Sequence, residues 1–168
     1  NGTINTFILD SKKSKINAQV VFSSAAEQSK PGEVPKTNAL VSLEKSPVST
    51  IEFESVQRET VSNLRVDSVS NLVDDEIKSV KTYAIDPTSV SFSSAKVTVP
   101  AAKGNKLMKC KDWDFENQIC KGEWIALQTI IPGQEYSFEL TQDDPGFAEI
   151  IVITKAMHLD SNRELISD

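Results

Sequence analysis

The sequence predicts an all-β fold, an antiparallel β-sandwich of one or two closely packed units. Three observations carry this expectation. Val, Ile, Thr, Phe and Ser dominate the patterned segments, while Ala- or Leu-rich stretches at helical spacing are nearly absent. Several segments alternate apolar and polar residues at period two, as a strand with one buried face requires. Turn residues divide these segments at intervals of about 8–15 residues, which suits a sandwich.

Residues 6–9 read as a first strand, closed by the polar turn 10–15. Residues 16–22 form a second, with Ile16, Ala18, Val20 and Phe22 on one face. Residues 23–37 hold few apolar side chains and carry Pro31, Gly32 and Pro35, so they read as a loop. Strands 39–43 and 50–54 follow, divided by Pro47. Residues 61–67 place Val61, Leu64 and Val66 in a strand with a weak start, and 71–76 form an acidic loop. Residues 80–85 end at Asp86-Pro87, because Pro87 donates nothing to a ladder. Residues 90–99 alternate through Val90, Phe92, Ala95, Val97 and Val99. Strands 107–110, 124–129 and 136–140 complete the set, with Pro132-Gly133 turning into the last. Val97, Val99, Tyr136, Phe138 and Leu140 are expected in the core, with Glu135, Ser137 and Glu139 outward.

A change of character over 56–71 divides the chain into an N-terminal sandwich part, 1–56, and a C-terminal module, 57–148, carrying the two cysteines. Residues 1–56 are short of an independent core, so they are expected to pack onto the second part or share its sheet. Residues 149–168 form a strand or linker toward a following module or partner. Its apolar run Ile150, Ile151, Val152 and Ile153 is expected to pair with a sheet edge. The partner is either residues 4–10 or a neighbouring subunit, by strand addition. Ser161 and Glu164 have capping-box spacing, as though a further module began there.

The chemical inventory excludes much. The one histidine, His158, would have to serve any triad, and two cysteines cannot complete a structural zinc site. The six glycines lie far apart, so neither a Walker loop nor a dinucleotide fingerprint is present. A net charge of -6 disfavours nucleic acid and anionic membrane surfaces. No apolar run approaches the roughly 20 residues of a membrane span. The expectation is a non-enzyme without cofactor, which neither binds nucleic acid nor inserts in a membrane. The start at Asn1, with neither Met nor an apolar leader, fits a mature secreted product or a fragment. Asn1-Gly2-Thr3 is a glycosylation sequon, making Asn1 a candidate glycan site.

Residues 110–120 have the most character: a hairpin with a long tip, flanked by strands. Cys110 and Cys120 at its base, with no other cysteine and no metal partners, favour a disulfide over two buried thiols. The bond would place the chain in an oxidising compartment or a hyperthermophile. Asp112, Asp114 and Glu116 alternate, so they are either calcium ligands or a solvated acidic loop. Trp113 and Phe115 are either a stacking platform for a glycan or a lid packed over the disulfide, and Trp124 is expected in the core.

A resemblance enters on these residues. Tyr83-Ala84-Ile85-Asp86-Pro87-Thr88, the strand 92–99, Leu107-Met108-Lys109-Cys110-Lys111-Asp112-Trp113-Asp114-Phe115, Cys120-Lys121-Gly122-Glu123-Trp124, Pro132-Gly133-Gln134-Glu135-Tyr136 and the run 143–149 occur in order. Over residues 80–149 the chain resembles a β-sandwich module of large secreted archaeal cell-surface proteins. Residues 2–22 are similar to the opening hairpin of carboxypeptidase-regulatory or transthyretin-like sandwiches. The resemblance implies an immunoglobulin-like or transthyretin-like sandwich at the cell surface and brings no catalytic residues. The expected function is a structural or adhesive segment of an archaeal extracellular surface protein, filament or S-layer. It would join neighbouring modules or identical subunits through strand pairing. The alternative is a carbohydrate-binding module using Trp113 and Phe115, with Asp112 and Asp114 as acceptors.

Overall fold

The computed structural model describes residues 2–24, 31–32, 35–73, 77–143 and 145–153. Asn1 with its sequon, Asp144, His158 and the capping-box residues Ser161 and Glu164 lie outside them.

The described residues form β1 (Gly2–Leu9), β2 (Lys15–Ser24), β3 (Lys36–Leu43), β4 (Thr50–Gln57), a 3₁₀ turn (Arg58–Asn63), β5 (Arg65–Val69), β6 (Lys81–Asp86) and β7 (Ser94–Val99). Then come β8 (Lys106–Cys110), β9 (Trp113–Asp114), β10 (Ile119–Cys120), β11 (Trp124–Thr129), β12 (Tyr136–Glu139) and β13 (Gly146–Ile150). The protein is all-β.

Eleven strands lie in one sheet, in the order β11-β8-β13-β6-β5-β1-β2-β3-β4-β7-β12, and β9 and β10 form a separate small hairpin. The expected pair of separate sheets is therefore replaced by one continuous sheet. The parallel pair Leu9↔Arg65 joins the five strands from β11 to β5 to the six from β1 to β12, so residues 1–56 meet the rest there and again where β4 pairs with β7; the other pairings between named strands are antiparallel.

The sheet curls until its ends meet. Phe138 of β12 packs on Phe147 of β13 with ring centroids 4.6 Å apart, although the sheet order sets these strands far apart. The Gln128 side chain of the edge strand β11 donates to the Ser137 carbonyl of the other edge strand, β12, at 3.2 Å. Curling suits a sheet with one apolar face, because that face then buries itself.

Register explains that face. Val20, Val41, Ile51, Val97 and Phe138 stand opposite one another across five strands, and all five are buried. The neighbouring row, Phe22, Ala39, Phe53 and Ala95, alternates large and small. Each fully buried aliphatic or aromatic side chain contributes about 1.5–3 kcal/mol. On the outer face Glu52, Lys96 and Glu139 form a charged row, as the alternation demands.

Three expectations need correction. Residues 58–63 form a 3₁₀ turn, and the strand begins only at Arg65. Val61 and Leu64, three residues apart, are both buried, which fits a three-residue turn better than a strand. Residues 90–93 are not strand, although Phe92 packs edge-on against Phe53 at 5.1 Å. The C-terminal strand starts at Gly146 and lies between β6 and β8. It does not pair with residues 4–10, because both of its edges are taken, one by β6 and the other by β8. Ile151 and Ile153 lie beyond it, 56% and 61% exposed.

Candidate functional site

Besides the buried hydroxyl pair of Ser79 and Thr82, three places in the fold hold buried polar groups that join segments distant in sequence.

The first is the hairpin of β9 and β10. Cys110 and Cys120 are disulfide-bonded with Cα atoms 6.0 Å apart. The bond ties the end of β8 to β10. Trp113 is 6% exposed and packs with Val69, Ala84 and Cys110, with the half-buried Phe115, Cys120 and Trp124 around them. Its ring meets Trp124 edge-to-face at 6.0 Å. Gly146 provides the seat, since a Cβ there would stand 2.7 Å from Trp113 Cε3. The indole N–H is buried without a partner among the described residues. Trp113 is thus a lid over the disulfide. Of the two readings of Trp113, its burial fits the lid and not an exposed stacking platform.

The acidic residues of this hairpin do not converge. Asp112 and Glu116 are exposed. Asp114 Oδ1 accepts the backbone N–H groups of Glu116 and Asn117, and its Oδ2 accepts Asn117 Nδ2 at 2.8 Å. These bonds, the Asn117 side chain foremost, hold the Asp114 carboxyl below its ordinary range. Its oxygens are engaged in closing their own turn. Among the described residues, no three His, Cys, Asp or Glu side chains are grouped to hold a metal ion.

The second place is Asp67, a buried carboxylate on β5. Its Oδ1 accepts the Ser11 N–H at 2.6 Å, and its Oδ2 accepts the Ser11 hydroxyl and Gln118 Nε2. Gln118 also donates to the Phe115 carbonyl at 2.7 Å. One carboxylate therefore fastens the β1–β2 turn and the tip of the disulfide hairpin to the same strand.

The third place is Glu149, fully buried on β13. Its Oε1 accepts the backbone N–H groups of Lys103 and Gly104 at 2.6 and 3.1 Å. Its Oε2 accepts the Tyr136 hydroxyl at 2.6 Å, and the Lys81 ammonium stands 3.9 Å away. The Tyr136 and Tyr83 hydroxyls are 2.8 Å apart. Burial, the largest cause, pushes both phenols far above their ordinary range. Burial lowers Lys81, and Glu149 partly offsets that. Beside this network Gly104 lies against the Ile150 backbone, where a Cβ would stand 2.4 Å from the carbonyl oxygen. Asn105 then clips the departing chain: its N–H donates to the Ile150 carbonyl, its Oδ1 accepts the Val152 N–H, and its Nδ2 donates to the Val152 carbonyl.

The sequence pointed to the disulfide hairpin but not to Asp67, Glu149 or Asn105. A single carboxylate inside a strand carries no local signal of its partners; the faint one was Glu149 heading an apolar, β-branched run. Comparison with protein-family models, curated proteins and solved structures finds no match to this chain.

Proposed function

We propose that this chain is a non-catalytic structural or adhesive segment of an extracellular surface protein or filament. The observation that carries the reading is the use of its buried polar groups. Asp67, Glu149, Tyr83 and Tyr136 are bound to one another or to distant segments, and all act as cross-links. The disulfide is compatible with an oxidising exterior. The archaeal cell surface is the setting implied by the resemblance over residues 80–149. There the curled sheet serves as a β-sandwich module whose two halves share one core. Strand pairing with neighbouring modules or identical copies is the mode of assembly. The outer strand β11 offers the site over the part that Gln128 does not tie to β12, with Ile125 exposed upon it.

Immunogold imaging of the native polypeptide on its source cells, with thiol alkylation before lysis, tests the proposal. Surface label on a filament or lattice, with Cys110 and Cys120 protected from alkylation, supports it. Cytosolic label with both thiols alkylated overturns it.

A further inference from the structure

The two terminal strands, β1 and β13, run in the same direction. β1 is parallel to β5, β5 is antiparallel to β6, and β6 is antiparallel to β13. The described chain therefore enters the sheet at one end and leaves at the other. Counted along the ladder, Gly2 lies seven residues before the level of Leu9 and Arg65, and Ile150 six residues beyond it. At ~3.3 Å per residue that is roughly 43 Å along the strand direction, before twist. β13 is laddered on both sides, to β6 and β8, whereas β1 is laddered along its length to β2 and meets β5 only at Leu9↔Arg65.

We infer that the chain bears tension along its own length, with β1 and β13 loaded in shear when it is held at its two ends. Pulling on Gly2 slides β1 along β2, whose register runs unbroken from Gly2↔Phe22 to Leu9↔Lys15. Pulling beyond Ile150 slides β13 against β6 and β8 together. In shear the ladder bonds share the load and must fail together. In peeling they fail one pair at a time. The Asn105 clip on Val152 extends the sheared length past the end of β13. Tyr136, held to Glu149, ties β13 to the far end of the sheet. This inference deepens the structural reading above and rests on it.

Single-molecule force spectroscopy tests it on the full chain placed between reference domains. One geometry pulls from terminus to terminus. The other pulls between the N-terminus and a ligation tag inserted between Pro31 and Gly32, an exposed turn beyond the Gly2 end of β2. That second geometry peels β1 from β2. The end-to-end unfolding force is expected to exceed the peeling force at least about twofold at equal loading rate, because forced unfolding follows the barrier along the pulled direction. Equal or lower force overturns the inference. Reduction should lengthen the end-to-end unfolding step by roughly 3 nm, because ten residues extend to about 33–36 Å where the disulfide holds 6.0 Å. No lengthening shows that the sheet does not yield as one unit, and this too overturns it. Asn105→Ala should lower the end-to-end force and leave the peeling force unchanged; an equal loss in both geometries removes the clip from the load path. The two readings fail separately: a cytosolic location overturns the surface role and leaves the force ratio standing, whereas a ratio of one overturns only the shear.

Discussion

Removing the Glu149 carboxylate is the sharpest perturbation of this fold. In Glu149→Ala the N–H groups of Lys103 and Gly104 lose their acceptor, and Tyr136 keeps only Tyr83. Each buried donor left unsatisfied costs about 1–3 kcal/mol. The Lys81 ammonium, with its side chain only 15% exposed, loses its counter-charge as well. Together these give a loss of about 3–5 kcal/mol, the range seen when one partner of a buried pair is removed. A domain of this size holds only about 5–15 kcal/mol in total, so the variant should lie near the edge of folding. Glu149→Gln is the discriminating control. Its carbonyl oxygen still accepts both backbone N–H groups. Its amide donates to the Tyr136 hydroxyl, which turns to donate to Tyr83. The variant also leaves Lys81 without its counter-charge and the Tyr83 hydroxyl proton without an acceptor, so the loss should be about 2–3 kcal/mol, smaller than for Glu149→Ala because both backbone N–H groups keep their acceptor. Urea unfolding followed by the fluorescence of Trp113 and Trp124 measures both. A Glu149→Ala loss under about 1 kcal/mol, or equal losses in the two variants, would refute the assignment of Glu149 as the tie between β13 and its surroundings.

The joint substitution Cys110→Ala with Cys120→Ala should cost about 2–3 kcal/mol by loop-closure entropy and leave the chain folded; failure to fold in the absence of denaturant would show that the hairpin is part of the main core. Gly104→Ala forces a Cβ to within 2.4 Å of the Ile150 carbonyl and should lower the thermal midpoint, whereas Gly2→Ala meets nothing nearer than 3.6 Å and should leave it unchanged; equal midpoints would count against the close approach. The chain's two tyrosines, Tyr83 and Tyr136, are both held protonated in the folded state. Their contribution is fully present below the unfolded tyrosine pKa near 10 and is lost as pH rises above it, because the unfolded chain then releases protons that the folded one keeps. Lys81, lowered by burial, acts in the opposite sense, but it is one group against two. Tyrosinate absorbance should therefore appear only together with unfolding, and absorbance rising near pH 10 in a chain with native fluorescence would refute this.

The all-β character and most strand positions were legible because period-two alternation reports a single buried face. Residues 16–22 and 136–140 show it most clearly: Ala18, Val20, Phe22, Tyr136, Phe138 and Leu140 are all buried. The expected burial of Val97 and Val99 also holds. Where alternation misled, a different geometry produced a similar pattern. Val61 and Leu64 sit on one side of a 3₁₀ turn, and Val90 and Phe92 pack inward from a connection that is not strand, although Ser91 and Ser93 bond to the backbone of Gln57 and Glu54. β13 was placed too late because its first four residues, Gly146, Phe147, Ala148 and Glu149, are all buried. An interior strand covered on both faces has no alternation to read.

The continuous sheet and its cross-links were illegible for a related reason. Whether strands close into two sheets or one depends on a single pair, Leu9↔Arg65, whose members are far apart in sequence. Neither residue type announces such a pairing. Asp67 and Glu149 likewise meet partners set by register: Ser11 and Gln118 for one, Lys103, Gly104 and Tyr136 for the other. In a strand read alone, each carboxylate counts as an outward polar position. The tertiary fold reverses that reading. A buried carboxylate is tolerated only where donors converge on it, so burial and partners arise together and neither is visible without the other. The disulfide was legible because its geometry is local, with the bonded cysteines at a sequence separation of 10 and no competing thiol. The same division separates the two kinds of tie in this protein. The covalent one closes a short loop and acts chiefly on the unfolded chain, whereas the two carboxylates join distant strands and act on the folded one. Loss of a carboxylate should therefore speed unfolding more than it slows folding, since contacts so distant in sequence form late.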